Sequence, residues 1–389
     1  MINMKRFFHC LLLLTFALHA VAQKDVQEPS VVERLLNLEK KTDLLNIKLN
    51  MHGSYSSPFG YEERGMGESA FQMEQLRLDI QGRINSKLYY RWRQRLNRPN
   101  QGAGSIDNMP ASIDFAAIGI NLSDRWHLFM GKQGVLYGGI EYDLNPIDII
   151  EYSDMSDCIT AFMTGINIGY KLNQNHEINF QIVDSRNCSL EEKYGANLKK
   201  SKLPFIYTLN WNGCLWGGAL KTRWSTSYAS QAKDHYMAYI ALGNQIRFSE
   251  KVDMYVDFMH SYEKLDDKGI MTQIVGQSNG HATSGVVYSS AVAKINYRFM
   301  PRWNIFAKGM IETAGFAKTT QEHQNGTYRT SYGYIGGIEY YPIEKSDLRF
   351  YGAFVGRTFN YKDCARVYGC SNNNTQRIQL GLIYQLPIF

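Results

Sequence analysis

The sequence predicts an all-β fold, a transmembrane antiparallel β-barrel of sixteen strands preceded by a short helical or coiled-coil segment. Three observations carry this. Long stretches alternate apolar and polar residues with period two, the connections between them alternate short and long, and no apolar run outside the first residues is long enough for a spanning helix. One two-faced strand fits a soluble sheet with its polar face in water. A whole chain of them fits a closed barrel, with the apolar face on lipid and the polar face on a wet lumen.

At the N-terminus Lys5 and Arg6 precede an apolar run from Phe7 to Ala20, and Ala20-Val21-Ala22 offers small residues at a cleavage position. Residues 1–22 therefore read as a secretory signal peptide, with the mature chain starting near Gln23. In the proposed helical segment 23–44 and just beyond it, Val31, Leu35, Leu38, Thr42, Leu45 and Leu49 follow a/d spacing. This is either a short coiled coil that helps hold an oligomer together or one amphipathic helix. Export places the five cysteines after Cys10 in an oxidising setting, where Cys364 with Cys370 and Cys158 with Cys188 are candidate bridges and Cys214 is left over.

The barrel is expected over 45–389. The predicted strands are 45–56, 69–84, 86–97, 111–122, 126–135, 158–172, 176–185, 203–211, 214–225, 234–248, 252–262, 284–299, 302–313, 331–341, 347–359 and 375–389. An even number returns both ends of the barrel to one side. Short turns are expected at Asn85-Ser86, Ser123-Asp124-Arg125, Asn173-Gln174-Asn175, Asn212-Gly213, Ser249-Glu250-Lys251, Met300-Pro301 and 342–346. Long loops are expected near 57–68, 98–110, 136–157, 186–202, 226–233, 263–283, 314–330 and 360–374. Trp126, Trp211, Trp216 and Trp303, with Phe248, Phe299 and Tyr340, lie close to short turns, as an interfacial aromatic belt requires.

The charge pattern points to a lumen. The hairpin from Leu76 to Leu96 puts Leu76, Leu78, Ile80, Leu88, Tyr90 and Trp92 on one face. Arg77, Asp79, Gln81, Arg83, Arg91, Arg93 and Arg95 fall on the other. The 136–157 loop is acidic, with Glu141, Asp143, Asp148, Glu151, Asp154 and Asp157, yet carries Ile140, Leu144, Ile147, Ile149 and Ile150. Either it folds into the lumen, its carboxylates facing the arginine wall across a confined transverse field, or it is a solvated lip. The arginines are read either as permeation residues or as structural groups tied to carboxylates such as Asp79. Lys221, Arg223, Lys294, Lys308, Arg349 and Arg377 are further inward candidates, read as general lumen polarity.

The net charge of +6 is interleaved with acids, so no nucleic-acid partner is expected; outer-membrane lipids are. The nine histidines are scattered without metal-site spacing, and neither a Gly-x-Ser-x-Gly elbow nor a Gly-rich phosphate cradle occurs. No enzyme, metal or cofactor is expected.

Gly131-Lys132-Gln133, followed by Tyr137-Gly138-Gly139-Ile140-Glu141-Tyr142-Asp143-Leu144-Asn145-Pro146-Ile147-Asp148, resembles the fifth strand and following loop of the phosphate-selective porin O and P family, in its Bacteroidota branch. The final strand's terminal aromatic, Phe389, resembles the insertion signal of bacterial outer-membrane barrels. The resemblance implies a sixteen-stranded trimeric diffusion porin with Lys132 in the pore lining. Best-studied members line their eyelet with a dense ladder of Arg and Lys, of which this chain has part, opposite an acidic loop. The leading expectation is a channel for passive diffusion of small hydrophilic solutes and ions. The alternatives are an anion- or phosphate-selective channel that uses the arginines as a binding track, and a non-conducting adhesion or structural barrel.

Overall fold

A computed structural model describes residues 44–59, 68–98 and 107–388. The proposed signal peptide, nearly all of the proposed helical segment, Phe389 and parts of the first two long loops lie outside the described residues.

Sixteen strands form one closed antiparallel barrel, each paired with its neighbours in sequence. They are β1 Asn46–Pro58, β2 Ala70–Arg83, β3 Leu88–Arg95, β4 Ile113–Asn121, β5 Trp126–Gly134, β6 Phe162–Lys171, β7 His176–Asp184 and β8 Phe205–Leu215. The second half comprises β9 Leu220–Ala232, β10 His235–Arg247, β11 Val252–Glu263, β12 Val286–Met300, β13 Trp303–Phe316, β14 Gly326–Tyr340, β15 Arg349–Tyr361 and β16 Asn373–Pro387. Pairing of β1 with β16, through Leu49 opposite Leu386 and Tyr55 opposite Leu380, leaves no open edge. All sixteen predicted strands are present.

Alternation decides which face each side chain takes. In β13, Ile305, Ala307, Gly309 and Ile311 are exposed, whereas Asn304, Phe306, Lys308, Met310 and Glu312 are buried. Such apolar exposure belongs on lipid. Trp126 stacks obliquely on Tyr170 at 4.5 Å and Trp303 on Tyr340 at 4.7 Å, both beside short turns.

The short turns close by side-chain acceptors. Asn85 Oδ1 accepts from the Lys87 and Leu88 amides, each at 2.9 Å, and Ser123 and Ser249 hydroxyls take the same role two and three residues ahead. Two connections differ from expectation. The turn placed at Asn212-Gly213 lies instead at Trp216-Gly217-Gly218, where φ is 53°, 60° and 90°. The ladder runs on through Leu215 opposite Leu220, and paired glycines supply the left-handed backbone that Asn212-Gly213 was credited with. The long loop placed at 226–233 is strand: β9 continues to Ala232 and turns at Lys233-Asp234, with Asp234 at φ 64°. Its small residues Ser227 and Ala229 read as loop but are buried, and they make room inside the barrel. The five described cysteines are all free thiols, so neither candidate bridge is formed.

Candidate functional site

The segment between β5 and β6, residues 135–161, contacts the buried faces of strands across the barrel. Gly138 and Gly139, with φ of 79° and 90°, begin its inward turn. The approach is close: a Cβ on Gly138 would stand 2.8 Å from Ser225 Oγ, and one on Gly243 of β10 would stand 2.7 Å from Gly139 Cα and Ile140 N. The Asp257 carboxylate of β11 then accepts the Ile140 and Glu141 amides at 2.8 and 2.7 Å, which satisfies the first donors of the short helix Ile140–Asp143.

One side of the loop is apolar. Tyr137, Ile140, Ile147, Met155 and Ile159 are buried among Met237, Tyr239, Tyr255, Met259 and Met310, together with Met271 and Ile274 of the helix Ile270–Val275 from the β11–β12 loop. Each such burial contributes about 1.5–3 kcal/mol, which accounts for isoleucines in a loop. The lumen on this side is thereby filled with packed side chains.

The loop carboxylates are anchored to cations that project from the far wall. Glu141 is fully buried, paired with Lys308 and accepting from the Ser153 hydroxyl at 2.5 Å. Burial alone would raise its carboxyl; Lys308, Ser153 and Ser156 outweigh that and hold it below its ordinary 4.5. Lys308 also donates to the Glu151 carbonyl at 2.5 Å. Asp143 lies 3.1 Å from Arg223, Asp148 pairs with Arg349, and Glu151 pairs with Arg377 at 2.7 Å. Asp154 pairs with Arg329 and, at 2.6 Å, with Arg357, whose guanidinium also meets Glu312 at 3.0 Å. The ion-pair partners of the acidic loop are thus on β9 and β13–β16, not among the arginines of β2 and β3. Lys308, Arg349 and Arg377 are more than general lumen polarity.

Those arginines line the opposite wall. Arg77, Arg93 and Arg95 converge on one carboxylate, Asp114, at 2.6, 3.1 and 2.9 Å, and Asp114 is itself inaccessible. Arg91 pairs with Asp79 at 2.7 Å, and its guanidinium lies 4.1 Å from the Phe115 ring centre; Arg93 stacks on the same ring and on Phe162. Lys132 pairs with Asp107 at 3.1 Å. Arg83, at the short-turn end of β2, joins none of these clusters and does not line the cavity.

Asp114 was not singled out from sequence because its orientation comes from a β-bulge. The β3–β4 register steps from Arg93 opposite Phe115 to Gln94 opposite Ile113, which leaves Asp114 as the extra residue. With Phe115 facing the lumen, strict alternation would aim Asp114 at lipid; the bulge brings its carboxylate inward. Arg329, Arg357 and Asp257 were also missed.

Between the arginine wall and the loop lies a cavity of about 1220 Å³. Its lining runs from Gln81, His127 and Glu177 near the short turns to Arg95, Asp184 and Arg186 near the long loops, the full height of the wall from β2 to β7. Three guanidiniums against one carboxylate leave this wall with positive charge in surplus, facing Tyr142, Asp143, Tyr152 and Asp157 of the loop. Among the described residues no cluster suited to a metal ion occurs.

Comparison with known proteins agrees with this fold. In fold the chain is similar to the outer membrane channel DcaP of Acinetobacter baumannii, with a TM-score of 0.61 at 10% identity, over 90% of this chain and 99% of that one. It is similar to OmpF of Salmonella typhi, solved as a complex with daunomycin, at 0.55 and 13% over 88% and 97% of the two chains. OmpT of Vibrio cholerae in a trimer form gives 0.53 and 10% over 89% and 100%. No curated protein matches in sequence. The model of the phosphate-selective porin O and P family matches residues 45–386, the barrel up to its last strand residue, and the chain belongs to that family of outer-membrane channels.

Proposed function

We propose that the chain forms, as a homotrimer in the bacterial outer membrane, a water-filled passage for passive diffusion of small hydrophilic solutes and ions, anions included. Selectivity in this reading is set by the basic wall of Arg77, Arg91, Arg93 and Arg95, with Lys132, opposite the 135–161 loop. The observation that carries it is the cavity that follows β2 to β7 over the full height of the barrel, lined by charged and polar groups. A sixteen-stranded barrel is wide enough to hold water beside an inserted loop, and charges in a confined lumen are incompletely screened. The trimer form of OmpT supports the oligomeric part of the reading. Full-length protein in planar bilayers is expected to give stepwise conductance, and liposomes carrying it to swell in small polar solutes with a sharp size cut-off. Silent bilayers would refute the channel and favour a structural barrel.

The surplus of guanidiniums around Asp114 favours one second reading, an anion-binding track. Concentration-dependent block of chloride current by phosphate would select it over plain diffusion.

A further inference from the structure

The loop carboxylates are not equivalent. Glu141, Asp143, Asp148, Glu151 and Asp154 each sit against a cation of the wall. Asp157, at the end of the short helix Asp154–Asp157, forms no ion pair and no side-chain hydrogen bond with any described residue, and its side chain is open to the lumen.

Its position adds a second, independent observation. A smaller polar cavity of about 210 Å³ lies between the loop and β1, β2 and β16, lined by His52, Glu74, Gln75, Ile149, Ile150, Glu151 and Arg377. Two residues line both this cavity and the large one: Tyr152 and Asp157. Tyr152 lies within electrostatic reach of Arg77 and Arg93, so the same junction faces the guanidinium cluster on Asp114. An uncompensated carboxylate there meets solutes from either cavity, while its paired neighbours have their charge cancelled locally.

We propose that Asp157 tunes the selectivity set by the basic wall: at the junction of the two cavities its carboxylate opposes the surplus positive charge of the β2–β4 wall and restrains anion flow. The inference rests on the diffusion-channel reading. Enclosure in the lumen, then the neighbouring Glu151 and Asp154 carboxylates, raise the Asp157 carboxyl above its ordinary 3.8, against the pull of Arg357. Groups facing it from other elements are Arg357 of β15 and, around the small cavity, His52, Glu74 and Arg377; on its own loop Glu141, Glu151 and Asp154 are held by cations. The filter therefore weakens on acidification at a higher pH than a free aspartate would.

The test is the reversal potential of the full-length protein in planar bilayers under a potassium chloride gradient. Asp157→Asn is expected to raise the chloride-to-potassium permeability ratio by about fivefold, the effect of one unit charge about 8 Å away in a water-like medium acting with opposite sign on the two ions. Asp157→Glu is expected to keep the wild-type ratio, and acidification to move the wild type toward the Asn variant. A conducting Asp157→Asn channel with an unchanged ratio overturns the inference and leaves the channel reading standing; a silent wild type overturns both. Should the Asn variant fail to assemble, the wild type still decides, since a ratio that stays flat between about pH 7 and 4 overturns the inference.

Discussion

Replacing Lys308 by Met tests whether the buried ion pair holds the loop inside the barrel. Lys308 is paired with Glu141, which is inaccessible to solvent, and also donates to the Glu151 carbonyl at 2.5 Å. Methionine keeps most of the volume and removes the charge, so Glu141 is left as a buried carboxylate with only Ser153 and Ser156 against it. Breaking a buried pair on one side costs about 3–5 kcal/mol, equivalent to roughly a hundred- to several-thousandfold increase in the population of the undocked loop. The sixteen-strand ladder does not depend on this pair, so the barrel is expected to remain closed and resist heat in detergent. Conductance is expected to rise and become noisier, and added protease to cut within 139–157. Glu141→Leu in the same chain removes the orphaned charge and is expected to restore much of the docking, a coupling that the double-mutant cycle measures. Because Glu141 can instead take up a proton, the single variant's defect is expected to shrink in acid. A Lys308→Met channel with wild-type conductance and protease resistance at neutral pH would show that the pair does not hold the loop.

Three further outcomes follow from the same contacts. Glu141 is held below 4.5 in the docked loop, so its contribution to docking is fully present above that pH and is lost as the pH falls through its lowered value; protease accessibility of wild-type residues 139–157 should rise on acidification below about 4.5. Asp114→Asn leaves Arg77, Arg93 and Arg95 without their shared carboxylate and is expected to raise anion preference in reversal-potential measurements while lowering the heat-unfolding temperature seen by gel mobility. Ile311→Arg, at a site 55% exposed on the lipid face of β13, is expected to cost about 2–4 kcal/mol and reduce folding yield into liposomes, while the adjacent inward position Met310→Gln leaves membrane insertion intact.

The period-two pattern made the barrel legible because every strand has one face on lipid, and that constraint acts on each residue separately. What it could not carry was anything set by pairs distant in sequence. The carboxylates of 141–154 find Lys308, Arg329, Arg349, Arg357 and Arg377 from 167 residues away for Glu141 and Lys308 to 226 for Glu151 and Arg377. No local periodicity marks such partners, so the sequence shows an acidic loop and a run of arginines that can face each other but not which cations the carboxylates pair with. Asp114 escaped for a different reason: a single extra residue reverses the face of a side chain, and alternation is blind to bulges. Ser227 and Ala229 escaped because small residues mean a loop in one context and, in β9, a buried strand face that leaves space inside the barrel.

These misreadings share a consequence for the channel. Along β9 and β13–β16 the wall charges are matched by loop carboxylates and backed by an apolar core, so they fix the loop and have little field left for a solute. Along β2–β4 one bulged carboxylate serves three guanidiniums that border open space, so the field there is available to whatever passes. A count of lumen arginines would treat both walls alike. The difference lies in the counter-charge and in what stands behind it, and it follows that removing a cation from the matched wall should disturb the loop first and selectivity second, with the reverse order on the other wall.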